Sequence, residues 1–300
     1  MFSKANVITR RDFVRAGSGL AAAGLLTGVG RPGAWADGEP ARSRVVLVRR
    51  QDALGEDGSP NGPVLHDMLN EAVAALLGVA EPAAAWQRLI RAGDVVGIKT
   101  NAWRQLPTPA VLEEAIRAEV IAAGAAPGDV AVDDRGVREN PVFKRATAYI
   151  NVRPMRTHHW SGLGTCLKNM IMFVPQPSEY HGDACASLGA IWRLPEIEGK
   201  VRLNVLVMLT PQFHGVGPHS FSPAFVWPYK GLLVGIDPVA VDATGARIIE
   251  AKRREHFGEE RPISPPPHHI QIADTRYGLG VSDPARIDVV RLGWTENALI

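Results

Sequence analysis

The segment 95-VVGIKTNAWRQLPTPAVLEEAIRAEVIAAGAAPGDVAVDD-134 decides the fold. It opens on the apolar run 95-VVGIKTN-101 and continues through 109-PAVLEEAIRAEVIAAG-124, where apolar residues recur at helical spacing up to a closing glycine. It ends on a second short apolar run, 130-VAVDD-134. Strand, helix and strand in this order form the unit from which parallel sheets are built, because a parallel neighbour needs a crossover.

The same alternation extends to both sides. Upstream, 45-VVLVRR-50 reads as a strand. The run 64-VLHDMLNEAVAALLG-78 carries Val64, Leu65, Met68, Leu69, Val73, Leu76 and Leu77 on one helical stripe ended by Gly78. A second helical piece, 82-PAAAWQRLI-90, leads into the turn Ala92-Gly93-Asp94. Downstream, 203-LNVLVML-209 and 232-LLVGI-236 read as strands, 238-PVAVDATGARIIEAKRREHFG-258 as a helix, and 269-HIQIA-273 and 287-IDVVRL-292 as short terminal strands. Near-continuous apolar strands between amphipathic helices predict an α/β fold, a single domain with a largely parallel sheet covered by helices on both faces. No internal repeat is visible, and 262-PISPPPHH-269 reads as a rigid surface connection.

The N-terminus stands apart. Residues 9-TRRDFVR-15 precede the weakly apolar 16-AGSGLAAAGLLTGVG-30 and then 34-AWA-36, the layout of a signal peptide. A membrane span would need about 20 strongly apolar residues, so no stable span is expected after processing. Arg10 and Arg11, with Phe13 close behind, specify a twin-arginine signal. The expected partner is therefore the twin-arginine translocation machinery, the expected location the periplasm, and the expected division 1–36 signal and 37–300 α/β domain. That export route carries folded proteins, which favours a bound metal or organic cofactor.

The full chain holds 33 basic and 31 acidic residues. Removing residues 1–36, with Lys4, Arg10, Arg11, Arg15, Arg31 and Asp12, leaves 28 basic against 30 acidic, a net charge of −2. Beyond 252-KRR-254, which reads as the solvated last turn of a helix, no Lys/Arg cluster remains, and nucleic acid is excluded as a partner. Cys166 and Cys185 are the only cysteines, too few for an all-cysteine iron–sulfur cluster, which needs four thiolates. An oxidising compartment permits a disulfide between them; Cys166 equally suits the role of a small buried hydrophobe.

The chemistry concentrates in 157-THHWSGLGTCLKNMIMFVP-175 and 180-YHGD-183. On extended backbone the neighbours His158 and His159 point to opposite sides, so only one faces a given pocket. Leu163, Cys166, Leu167, Met170, Ile171 and Val174 form an apolar stripe on a predicted helix. Lys168 at its edge either extends its amine to solvent or points into a cleft to hold an anion. Ser161-Gly162-Leu163-Gly164 would let backbone N–H groups approach a phosphate or carboxylate, although the order is not that of a P-loop. In 213-FHGVGPH-219, His214 and His219 flank a Gly-x-Gly-Pro turn that brings two side chains toward one point. Asp237 before Pro238 reads as a helix N-cap. Asp242, on an apolar helix face, needs a partner, which Lys99 or Lys168 would supply as a buried salt bridge or within a site.

The motifs 93-GDVVGIKTNAW-103, 161-SGLGTCLKNMI-171 and 235-GIDPVAVDATGARII-249 occur in an order and spacing that resembles the family called domain of unknown function 362. Its Lys-x-Asn strand, Ser-Gly…Lys-Asn turn and Asp-Pro-x-x-x-Asp helix are similar to these three segments, and the likeness spans residues 45–292. The family implies no general activity. Some relatives carry ferredoxin-like cysteine modules, which implies redox roles, and this chain lacks such a module.

Together these readings predict a cleft at the strand ends on which Lys99, Asn101, His159, Ser161, Lys168, Asn169, His181 and Asp242 converge. The leading expectation is a metal- or cofactor-dependent periplasmic enzyme acting on a small anionic substrate. Its lysines hold negative charge, and a histidine moves a proton. The competing expectation is a non-catalytic metal- or cofactor-binding protein that uses His158, His159, His181, His214 and His219 on a divalent metal. A third is an accessory or scaffold protein with no site.

Overall fold

The computed structural model describes residues 42–215 and 221–300. The twin-arginine segment and His219 lie outside the described residues. In chain order the elements are β1 (Ser43–Arg49), α1 (Gly62–Leu77), α2 (Pro82–Leu89), β2 (Val96–Lys99), α3 (Ala110–Ala122), β3 (Val130–Asp133), α4 (Pro141–Lys144), β4 (Ala148–His158), β5 (Gly162–Gly164), α5 (Cys166–Asn169), α6 (Gly182–Cys185), α7 (Leu188–Ile191), β6 (Val201–Gln212), β7 (Gly231–Gly235), α8 (Pro238–Phe257), α9 (His268–Thr275) and β8 (Ile287–Gly293).

The strands form one sheet in the order β3-β2-β4-β6-β7-β1-β8, with β5 paired to β4. The run β3-β2-β4-β6 is parallel throughout, as the crossovers require. The sheet is mixed because β7 runs against both β6 and β1, and β5 runs against β4, while β8 is again parallel to β1. Helices cover both faces. Leu65, Met68, Leu69, Trp86, Leu112 and Ile116 from α1–α3 pack on Val46, Ile98, Ile150 and Val205. Residues of α5, α7, α8 and α9 pack on Val45, Leu47, Leu206 and Leu233 from the other side. Among the described residues no single helix is long and apolar enough to cross a membrane.

Three local expectations are corrected. The segment 269-HIQIA-273 belongs to α9, since Ile270 and Ala273, three apart, are buried together, a helical spacing. The helix expected through Val174 is only the single turn α5 followed by a 3-10 turn over Met170–Phe173. Of 252-KRR-254, Arg253 is buried, donating to the carbonyls of Phe213, Arg261 and Pro262. The proline-rich stretch lies at the surface, with Pro262, Ser264, Pro266 and His268 exposed, but it is anchored: Ile263 and His269 are buried, and the Pro265 carbonyl presses so closely on Gly162 that an added Cβ there would stand 2.1 Å away.

Registry between strands positions the site. Lys99, the last residue of β2, pairs with Asp133 on one side and Asn151 on the other. Strands β4 and β6 run on past that row, and Arg156 pairs with Gln212 beyond it. Their carboxyl halves therefore overhang the ends of β2 and β3, at the edge where open α/β sheets bind ligands.

Candidate functional site

Lys99 is fully buried and donates to Asp134 Oδ1 at 2.6 Å and to the Thr100 carbonyl at 2.7 Å. Asp134 also accepts the Ala102 N–H at 2.9 Å. Burial works to raise the Asp134 carboxyl, but Lys99 holds it below its usual range; burial in turn lowers Lys99 to about 8. The pair is a neutralised salt bridge that ties β2 to the turn after β3.

Asn169 joins this bridge to the sheet. Its Nδ2 donates to Asn151 Oδ1 at 2.8 Å and to the carbonyls of Lys99 and Val152, while Asn151 donates onward to Asn204 at 2.9 Å. These buried amides satisfy one another across three strands, so Asn169 anchors α5 rather than facing a ligand. Asp242 serves the same end. Its carboxylate accepts from Thr165 Oγ1 and from the backbone N–H groups of Cys166 and Leu167 at 2.9 Å, capping α5 from across the fold. The expected lysine partner is absent, because the amides at the start of α5 meet the carboxylate first; burial still raises its pKa to about 7. Asp237 is the expected N-cap of α8.

Lys168 sits one turn on and is only 3% exposed, so it neither reaches solvent nor pairs with Asp242. Its Nζ donates to Cys185 Sγ at 3.4 Å, and burial lowers its pKa to about 8. Cys166 and Cys185 are free thiols. Ser161 Oγ donates to the Leu163 carbonyl, an internal bond of the turn.

The overhang of β4 supplies what sequence reasoning missed. Arg153 and Arg156 are 3% and 4% exposed. Gly164 leaves room for Arg153, since a Cβ there would lie 2.8 Å from its guanidinium. Arg156 lies over the Trp103 ring at 4.3 Å. Among the described residues neither Nε, nor Arg156 Nη1, has a hydrogen-bond partner. Gln212, opposite Arg156, has no partner among the described residues for either amide atom, and buried His269 has none among them for either ring nitrogen. Burial lowers Arg153 to about 10, and Arg156 falls further, pushed by burial and then by Arg153. Guanidinium nonetheless stays protonated at neutral pH. Burial and the neighbouring cations hold His158 and His269 well below the ordinary imidazole range, and lower His181 to about 4.

The histidines divide. His158 ends β4 and its ring stacks on that of His159 at 4.9 Å, because the chain turns there instead of remaining extended. Trp160 lies beside His159 and stacks on His181 at 3.7 Å. His214 has other neighbours, Phe225, Phe257 and Arg253. Among the described residues no three His, Cys, Asp or Glu side chains gather at metal-binding distance.

Asn101 belongs to a separate cavity of about 660 Å³ at the same sheet edge, beside the first turn of α3. Its walls are chiefly apolar, among them Leu54, Pro109, Val111 and Leu209, with Glu113 at one side. Among the described residues no arginine or lysine lines it, so the cationic cluster lies outside this space.

The fold and the cluster define an open-sheet α/β protein with buried cations at the carboxyl edge of its parallel strands. Residues 136–247 match the model of the family described as Domain of unknown function (DUF362). The match contains Arg153, Arg156, Lys168 and Asp242 but ends before the completion of α8, and the motif at 93–103 precedes it. Neither the curated proteins nor the solved structures returned a match to this chain.

Proposed function

We propose that the protein binds and transforms a small anionic molecule, its negative group held by Arg153 and Arg156. One observation carries this reading: two buried arginines three residues apart on β4 keep Arg153 Nε and Arg156 Nε and Nη1 without an acceptor among the described residues. A buried charge without a partner costs several kcal/mol, and a carboxylate or phosphate matches the planar guanidinium fork. Gln212 and His269 supply further unspent groups. His181, neutral and reachable from solvent beside Trp160, is placed to move a proton. Residues 1–36 would direct this activity to the periplasm.

A divalent metal on His158, His159 and His181 is the second reading. Arg153, Arg156 and Lys168 all bear on His158, and such cations oppose a metal ion there. Elemental analysis of the protein as isolated and after reconstitution decides between the two.

The direct test is thermal melting in phosphate, sulfate and a series of mono- and dicarboxylates at matched ionic strength. A ligand at a hundredfold its Kd stabilises by about 2.7 kcal/mol. At least one anion should raise the melting temperature, and Arg153→Met and Arg156→Met should remove the response. The proposal fails if no anion acts, or if both variants respond as the parent does.

A further inference from the structure

We infer that Lys168 is a nucleophilic amine that forms an imine with a small oxo acid whose carboxylate lies on Arg153 and Arg156. The inference rests on the anion-binding reading above and names its substrate class.

The two buried lysines differ in one respect. Lys99 has a carboxylate at 2.6 Å, whereas the one hydrogen-bond partner of Lys168 is the Cys185 thiol at 3.4 Å. Among the described residues no Asp or Glu pairs with Lys168. The groups that bear on it are Cys185, which ends α6, and Arg153 and Arg156 of β4. Lys168 in turn bears on His158 at the end of β4, His181 before α6 and His269 of α9. A buried ammonium among cations favours its neutral form, which carries the nucleophilic lone pair. The thiol is left able to donate its S–H to that nitrogen.

The same cations select the partner. An anionic substrate held by the guanidiniums presents the atom next to its carboxylate to a neighbouring amine; in a 2-oxo acid that atom is a carbonyl carbon. His181 and Trp160 stack at 3.7 Å on the solvent side of this group, with Trp160 41% exposed.

The reaction balances without a further reactant. The Nζ lone pair forms a C–N bond to the carbonyl carbon, whose oxygen takes a proton from the attacking nitrogen. The nitrogen lone pair then forms the C=N bond as the C–O bond breaks. The oxygen leaves as water with the second nitrogen proton, and neutral His181 and Cys185 are the neighbours able to relay these protons.

The test incubates the whole protein with pyruvate, 2-oxoglutarate, oxaloacetate or glyoxylate and sodium cyanoborohydride, followed by intact mass measurement and peptide mapping. One acid should give a single stable adduct on Lys168, more strongly at pH 9 than at pH 7. Lys168→Arg should abolish the adduct while the acid still shifts the melting temperature. If the acids shift melting but mapping of the unmodified sequence finds no adduct on Lys168, the imine is wrong and anion binding stands. If adducts spread over surface lysines and persist in Lys168→Arg, the imine is equally wrong. If no anion shifts melting, the anion-binding reading fails and this inference falls with it.

Discussion

Asp242→Asn isolates the energetic consequence of burying a carboxyl against the start of α5. The folded group titrates at about 7 against an ordinary 3.8, because burial outweighs the bonds from Thr165, Cys166 and Leu167. Between those values the folded state holds a proton that the unfolded chain releases, so stability must fall as pH rises through this window. At 1.36 kcal/mol for each tenfold change, the loss approaches about 4 kcal/mol by pH 8. Asparagine does not titrate and removes the slope, but its NH2 faces an N–H that the carboxyl had accepted, a loss of about 1–3 kcal/mol at any pH. Urea unfolding of both proteins at pH 4, 6 and 8 should therefore find the variant weaker at pH 4 and level with or above the parent at pH 8. A difference between the two that stays within about 1 kcal/mol from pH 4 to 8 would show that Asp242 is ionised throughout, with Arg153 carrying its charge.

Three further outcomes are expected. Asp134→Ala leaves the Lys99 ammonium buried with only the Thr100 carbonyl and Asn169 Oδ1, and should cost about 3–5 kcal/mol in urea unfolding, most of it recovered by adding Lys99→Met. Gly162→Ala drives a Cβ against the Pro265 carbonyl at a φ of 69°, so its melting temperature should fall far below that of Gly182→Ala, where a Cβ meets nothing; equal melting would contradict the packing of the proline-rich stretch. Replacing Arg10 and Arg11 by Lys should hold the precursor in the cytoplasm by fractionation, and arrival in the periplasm at the normal rate refutes the twin-arginine assignment.

The strands and helices of 95–134 were legible because each has one dominant periodicity and a clear stop, and β2, α3 and β3 fall where the pattern placed them. Gly78 ends α1 in the left-handed conformation that its position required, and Asp237 caps α8 through the amides of Val239 and Ala240. At 269–273 two isoleucines two apart satisfied the alternation rule equally well, and only the tertiary contact of α9 decides between the periods. Asp242 shows a different limit: its need for a partner was visible, but amides contributed by a distant turn are invisible to pairwise matching of charges.

Sequence periodicity did not reveal β4, the longest of the fully buried strands in the sheet. Its 148-AYINVRPMRTH-158 holds Asn151, Arg153, Pro154 and Arg156, residues that interrupt any apolar run and that propensity assigns to a loop. The obstacle to reading the strand and the content of the site are thus the same residues. Asn151 is accounted for by its bonds to Asn204 and Asn169. Among the described residues the arginines have no such hydrogen-bonded account: Arg156 has the face of Trp103, and Arg153 has the charges of Asp134 and Asp242. Apolar side chains of similar length would fill the same space without the desolvation penalty. Local rules that fail in the middle of a sheet, and that no neighbouring group repairs, direct attention to a partner from outside the chain. The two guanidiniums at the carboxyl overhang are the ground on which we propose an anion as that partner.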